Sequence, residues 1–364
     1  MVSMGDFYVT LKTLAETISV AGYEDELREL VIEFLKPYAD ELYTDSLGNV
    51  IAVKKGKGKG KVMVAAHMDE IGLMVSHIDK NGFLRLQPIG GWNPLVLPGQ
   101  RLLIKGTRGI VRGVVGMTPP HILKEEEAKK IPEIRKLFVD VGARNKDEVE
   151  DMGIKVGSIA VIERTVEKIG EHRVTGRAFD DKVGVAALIH AFREAEPGDV
   201  DFYAVVTVQE EVGLKGARVA AYRISPDVAL AVDVTVAADV PGVPGEAQIA
   251  KLGEGPAIKI MDGRSGSGLL AHPAVREKLI KVARTKGIPF QLEILPGGTT
   301  DAAIIALNKE GVPAGTVSVP TRYIHSPVEV LDLRDAVNTV KLLTGFVDEI
   351  TEKWITELRG MRIL

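Results

Sequence analysis

The chain has 364 residues, 45% of them hydrophobic and 26% charged, with a formal net charge of −4. That is the make-up of an ordinary globular protein with room for a large core and two domains; it gives no general case for nucleic-acid binding, and no stretch approaches the run of about 20 apolar residues that a membrane helix needs. Cysteine is absent, which excludes disulfides, thiolate ligands and a cysteine nucleophile, so zinc or cobalt would have to be held by imidazole and carboxylate groups.

The first residues, MVSMGDFYVTLKTLAE, lack a basic region followed by a long apolar core, so a cytoplasmic protein is expected. Residues 11–38 carry a helical pattern, interrupted near 19–22. Leu27, Leu30, Val31, Phe34 and Leu35 recur at spacings of three and four, and Pro37 stands near the end. Strands are predicted over 50–54 and 62–66, with the basic glycine stretch KKGKGKGK between them reading as a hairpin loop. The continuous apolar run 62–66 suggests a strand covered on both faces. From Gly72 to about Arg164, short apolar runs alternate with Gly, Pro, Asn and Asp, the pattern of an inserted β-rich or barrel-like domain. Within it, 124–136 is charged and reads as a loop or short helix. Helix and strand alternate again after Gly176. Helices are predicted over 182–194, 274–286 and 302–308 and from about Leu333 onward, and strands over 201–208 and 228–232. The fold class expected is therefore α/β, with a discontinuous domain over 1–71 and 165–364 split by a β-rich one over 72–164.

Candidate chemistry sits where apolar runs stop. His67 ends VMVAA, where a buried parallel strand would face the crevice in which α/β proteins bind ligands. Asp69, two residues on, points the same way along an extended chain and could orient the imidazole by accepting a hydrogen bond from its second nitrogen; a surface histidine followed by a helix-capping aspartate is the plainer reading of HMDE. Asp180 and Asp181 precede a helix, so one can cap it while the other turns into the cleft to bridge two cations; local spacing leaves open which. Glu210 and Glu211 end FYAVVTVQ. Neighbouring extended side chains diverge, so one can ligate metal while the other serves as a general base, its pKa raised by like charge and desolvation. Asp233 ends VALAV, and His325 lies in VPTRYIHSPVEV with Pro327 restraining the loop. GGTTDAA at 297–303 either presents backbone donors to substrate or caps a helix through Asp301, and DGRSGSGLLAHP could line a pocket. A glycosidase would need two carboxylates flanking a sugar bond. Here the glutamates are adjacent, only 2 tryptophans exist and the histidines would be left without a role.

Taken in order, AAHMDEIGLMV at 65–75, RAFDDKVG at 177–184, VQEEVGLKGA at 208–217, VDV at 232–234, GTTDAA at 298–303 and RYIHSPVEV at 322–330 closely resemble the M42 family of metallo-aminopeptidases, the TET peptidases. The resemblance covers nearly the whole length. It implies a phosphorylase/hydrolase-like mixed-sheet catalytic domain interrupted by a β-rich dimerisation domain. It also implies two divalent ions, zinc or cobalt, one on His67, Asp180 and Asp233 and the other on Asp180, Glu211 and His325. Asp180 is then the bridge, Glu210 the base, and Asp69 stands behind His67. Peptides with free N-termini would be the substrates, and a tetrahedral homododecamer built from dimers the expected assembly. A related deacylase or carboxypeptidase is the alternative activity. The lack of cysteine, the 18 prolines and the many Lys and Glu residues fit a thermophilic source.

Overall fold

A computed structural model describes residues 2–122 and 130–359. The first three strands, β1 (Glu41–Thr44), β2 (Val50–Lys54) and β3 (Gly60–His67), belong to an 11-stranded mixed sheet. The chain leaves that sheet after His67 and forms a closed barrel from β4 (Gly72–Ile78), β5 (Leu84–Ile89), β6 (Arg101–Gly106), β7 (Gly109–Gly116), β8 (Phe138–Asp140) and β9 (Ile159–Ile162), in the order β4-β5-β8-β7-β6-β9. It then returns to the sheet through β10 (Glu167–Ile169), β11 (Arg173–Gly176), β12 (Val200–Thr207), β13 (Val228–Val236), β14 (Ala257–Met261), β15 (Gln291–Ile294), β16 (Ala314–Arg322) and β17 (Glu329–Asp332). The main path of the sheet runs β1-β2-β12-β3-β13-β16-β17-β11-β10, with β14 and β15 branching from β16.

The centre of this sheet decides where chemistry can occur. β12, β3, β13 and β16 are mutually parallel, so their carboxyl ends share one edge. Thr207 is level with His67, and Asp233 with Ser318. Both faces of β3 are covered, as its unbroken apolar run predicts. Val62, Val64 and Ala66 pack among the helices Met4–Glu16, Phe179–Glu194 and Leu333–Asp348, whereas Met63 and Ala65 pack toward Lys215–Ile224 and Asp301–Ala306. The barrel has its own core, including Leu73, Leu84, Leu102, Val115, Val139 and Ile162.

One local expectation changes. The segment 54–61 is not a hairpin, because β12 lies between β2 and β3 and pairs with both. A strand as apolar as β3 needs a neighbour on each side, and β12 is the apolar strand that fills this one. The lysines there are absorbed locally: Lys54 Nζ donates to the carbonyls of Arg193 and Ala195, and Lys55 pairs with Glu41 and Asp201. The helical pattern over 11–38 is two helices, Met4–Glu16 and Asp25–Leu35, parted at the expected interruption near 19–22, the first beginning earlier than predicted. Of the charged stretch 124–136, residues 124–129 lie outside the described residues, and Ile134–Lys136 is a single 3-10 turn. Among the described residues no helix is long and apolar enough to cross a membrane.

Candidate metal centre

Each candidate side chain reaches the shared strand edge for a local reason. His67 is the last residue of β3, and Asp233 lies near the end of β13. After β12 the chain turns at Gln209, whose φ of 55° is left-handed, and delivers Glu210 and Glu211. After β16, Tyr323 and His325 both adopt φ 60°, which folds the imidazole back over the edge. The helix Phe179–Glu194 opens irregularly: Ala178 has φ 57°, Asp180 and Asp181 are non-helical, and the peptide between them is cis. Left-handed conformations at residues bearing a Cβ cost about 1 kcal/mol or more apiece and persist only where their surroundings hold them. Four of them border this site.

The side chains form two adjoining groups. His67, Asp181 and Asp233 offer ligand atoms within 4.8 Å of one another, and so do Asp180, Glu211 and His325. Asp180 joins them, with Oδ1 3.1 Å from His67 Nε2 and Oδ2 3.2 Å from His325 Nε2. His325 Nε2 is also 3.2 Å from Glu211 Oε1, a buried oxygen without a hydrogen bond. Asp181 is the aspartate of the pair already engaged by backbone, accepting from His67 N at 3.3 Å and Gly184 N at 3.0 Å. A Cβ on Gly184 would lie 2.2 Å from Asp181 Oδ1, so glycine is what leaves room for that carboxylate. Glu210 stands outside both groups, its Oε2 4.0 Å from His67 Nε2.

Burial sets the electrostatics. Desolvation raises the pKa values of Glu210 and Asp233 well above the carboxylate range, aided by the charge of Asp233 on Glu210 and of Asp180 on Asp233, and opposed in both by His67. Asp180 is the exception: burial would raise it, but hydrogen bonds with His325 and His67 hold it below the usual range. Burial disfavours an imidazolium at His325, yet Asp180 and Glu211 push its pKa up to about 11. So many oxygen acceptors around two ring nitrogens, with one carboxylate oxygen left unbonded, suit divalent cations bound through nitrogen and oxygen.

A second tier of buried groups fixes the first. His67 Nδ1 lies 3.1 Å from the Asp69 carbonyl oxygen and 3.7 Å from its carboxylate. That carboxylate instead accepts the backbone N–H groups of Glu210 at 2.9 Å and Glu211 at 3.1 Å. Glu329 was not singled out from the sequence. It accepts from Phe179 N at 2.5 Å and Asp180 N at 3.3 Å through one oxygen, and from His325 N at 3.0 Å through the other. Its signal was a carboxylate inside the apolar run PVEVL. Burial lifts its pKa to about 8. Asp301 does not cap its helix; it is buried and accepts from the Thr207 hydroxyl at 2.6 Å. Deeper still, Glu70 pairs with Arg177, and Lys182 donates to Ser19 Oγ at 2.6 Å.

The barrel closes one side. Gly90 and Gly91 approach so closely that a Cβ on Gly91 would sit 3.2 Å from His325 Nδ1. A cavity of about 30 Å³ there is lined by Trp92, Asp180, Glu211, His325 and Glu329. A larger one, about 760 Å³, opens beside Leu270, His272 and Pro313 at the opposite ends of the strands. It receives the AHP end of DGRSGSGLLAHP but none of the candidate ligands. The candidate ligand atoms of Asp180, Glu211 and His325 converge at the smaller cavity's edge.

Comparison with known proteins identifies the family. Residues 48–342 match the family model described as M42 glutamyl aminopeptidase. A lysyl aminopeptidase from Pyrococcus furiosus is 42% identical over 344 residues, covering 93% of this chain and 96% of the relative. Aminopeptidase APDkam598 from the archaeon Desulfurococcus kamchatkensis superposes with a TM-score of 0.96 at 53% identity, covering 99% of each chain. The TET1 peptidase of Pyrococcus horikoshii, described as assembling into a tetrahedron or a large octahedral shell, has a TM-score of 0.84 at 32% identity, covering 96% of this chain and 100% of that one. Matches of this extent and identity make the chain a member of the M42 family, a metal-dependent aminopeptidase that hydrolyses peptides.

Proposed function

We propose that the chain removes N-terminal residues from peptides with a pair of divalent cations, zinc or cobalt, held by His67, Asp180 and Asp233 on one side and by Asp180, Glu211 and His325 on the other. The observation that carries this reading is the Asp180 carboxylate, which turns one oxygen to each imidazole at 3.1 and 3.2 Å. Asp181 stands in reserve beside the first group, its oxygens taken by backbone donors. When bound, such cations supply Lewis acidity, making a water nucleophilic near neutral pH and polarising the scissile carbonyl.

The chain's own residues do the rest. Glu210 belongs to neither group and is only partly exposed, so its carboxylate takes the proton of the attacking water and holds it. As the new carbon–oxygen bond forms and the carbon–nitrogen bond breaks, Glu210 returns that proton to the departing amine. Asp69 aims Glu210 through the peptide N–H, while Glu329 ties the Asp180 and His325 segments together. The surplus of carboxylates at the edge suits a free α-amino group, which favours cleavage at the N-terminus.

We further propose that 1–71 with 165–364 forms the catalytic domain and that 72–164 mediates pairing of subunits. On β7, the outward positions Ile110 and Val114 are 47% and 49% exposed, an apolar pair where a solvated barrel would carry polar residues. Structures of the TET1 relative, described as a dodecamer and as assembling into a tetrahedron or a large octahedral shell, support assembly into a tetrahedral dodecamer.

Activity is tested on metal-reconstituted protein with a free and an N-acetylated aminoacyl anilide. Only the free compound should be cleaved; preference for the acetylated one would indicate a deacylase instead. Glu210→Gln should keep its metal and lose at least about a hundredfold in kcat, whereas Asp180→Ala should lose both ions. Normal turnover by Glu210→Gln would remove Glu210 as the base.

A further inference from the structure

We infer that Glu24, far from the ligands in sequence, is a positioning residue for the turn that carries Glu210 and Glu211. The inference rests on the reading of Glu210 as base. Glu24 follows a tight turn in which Tyr23 N donates to Val20 O at 2.7 Å and Gly22 takes φ 86°. Its backbone carbonyl starts the helix Asp25–Leu35 by accepting Arg28 N at 2.9 Å, but its side chain does not cap that helix. The carboxylate turns inward instead and is 2% exposed. Oε1 accepts from Gly22 N at 2.7 Å and, across 185 residues of sequence, from Gln209 N at 3.2 Å.

The next two N–H groups, of Glu210 and Glu211, donate to the two oxygens of Asp69. Three consecutive backbone donors thus converge on two buried carboxylates, a concave arrangement that ordinarily binds anions and here is filled from within the protein. Burying an unpaired carboxylate for helix packing alone would be unfavourable; an apolar or capping residue would serve better at that position. What Glu24 holds is the N–H of Gln209, a left-handed residue at φ 55° immediately before Glu210. Without that acceptor, Gln209 is free to relax toward negative φ, rotating the next peptide and with it the Glu210 carboxylate. Asp69 still accepts from the N–H groups of Glu210 and Glu211 in that case, so the turn shifts rather than opens, and the loss falls on the aim of Glu210, which belongs to neither ligand group, more than on metal binding.

The test compares E24A, E24Q and E210Q, each saturated with zinc, by kcat, KM, bound metal and Tm on a free aminoacyl anilide. E24A should fall about 10- to 100-fold in kcat, the scale expected from a displacement near 1 Å, with KM and metal content within about threefold of wild type. E24Q should stay within about threefold, because its amide oxygen can accept both N–H groups. If E24A does not fold, E24D takes its place, since it withdraws the acceptor by one methylene while keeping the charge, and should show the same split. Wild-type kcat in E24A (or in E24D where that stands in), a loss that merely follows lost metal or folded fraction, or E24Q as slow as E24A overturns the assignment. Full turnover in E210Q would instead remove the base reading on which it depends, whereas an inactive E210Q beside a fully active E24A removes only the role given to Glu24.

Discussion

His67 and His325 are surrounded by carboxylates, so the metal-free site is held together by protons. Although burial opposes it, His67 is raised by Glu210 and Asp180, and His325 by Asp180 and Glu211, up to about 11 for His325. A base whose folded pKa lies above its unfolded value stabilises the fold fully below that unfolded value, near 6.5, and the contribution is lost as pH rises through the folded one. Glu329 and Asp69, lifted by burial to about 8 and about 7, act in the same direction: the folded state holds their protons more tightly, and that advantage fades as pH climbs from the ordinary carboxylate range to those values. Metal-free protein should therefore lose Tm between pH 7 and 10 by more than metal-loaded protein does, and adding zinc to it in weak buffer should release protons. Equal slopes for the two forms, with no proton release, would contradict this account of the site. At this scale the ligand types were legible, because a polar residue ending an apolar run is visible in one dimension. The supporting acceptors were not: Glu24 and Glu329 work through backbone N–H groups of remote segments, and their own neighbourhoods look like ordinary helix start and strand.

The helix Phe179–Glu194 shows how an element's start can serve the site better than its own regularity. Alanine is favoured over glycine inside a helix by about 1 kcal/mol, so Gly184→Ala would stabilise an exposed helix. Here the added methyl meets Asp181 at 2.2 Å. Overpacking costs about 1–3 kcal/mol, and a displaced, buried carboxylate adds to it. The steric effect wins, so Gly184→Ala should lower Tm and retain less metal; a more stable, fully loaded variant would show that Asp181 has room to move. Strands of continuous apolar character were read correctly because burial on both faces leaves that mark. The supposed hairpin over 54–61 failed for the complementary reason: adjacency in sequence says nothing about a third strand, and β12 enters between the two from about 140 residues away. The helix beginning at Asp301 likewise kept its place while its aspartate turned to Thr207 rather than to its own backbone.

Across the whole molecule, one sheet edge gathers the site and one barrel strand leaves Ile110 and Val114 exposed. Replacing Ile110 and Val114 with glutamate should disperse the assembly into smaller species by sedimentation or light scattering, while metal content and cleavage of a small anilide persist. An unchanged mass would place the subunit contacts elsewhere. Residue type and boundary were settled by the sequence alone: the absence of thiolate, the two histidines and the carboxylates that interrupt buried strands restrict the chemistry to nitrogen and oxygen ligation. Which of those groups meet was decided by the tertiary fold. The parallel order β12-β3-β13-β16 sends four carboxyl ends to one edge, and that order is chosen by packing both faces of the sheet against helices, a contest among distant segments that local spacing does not record.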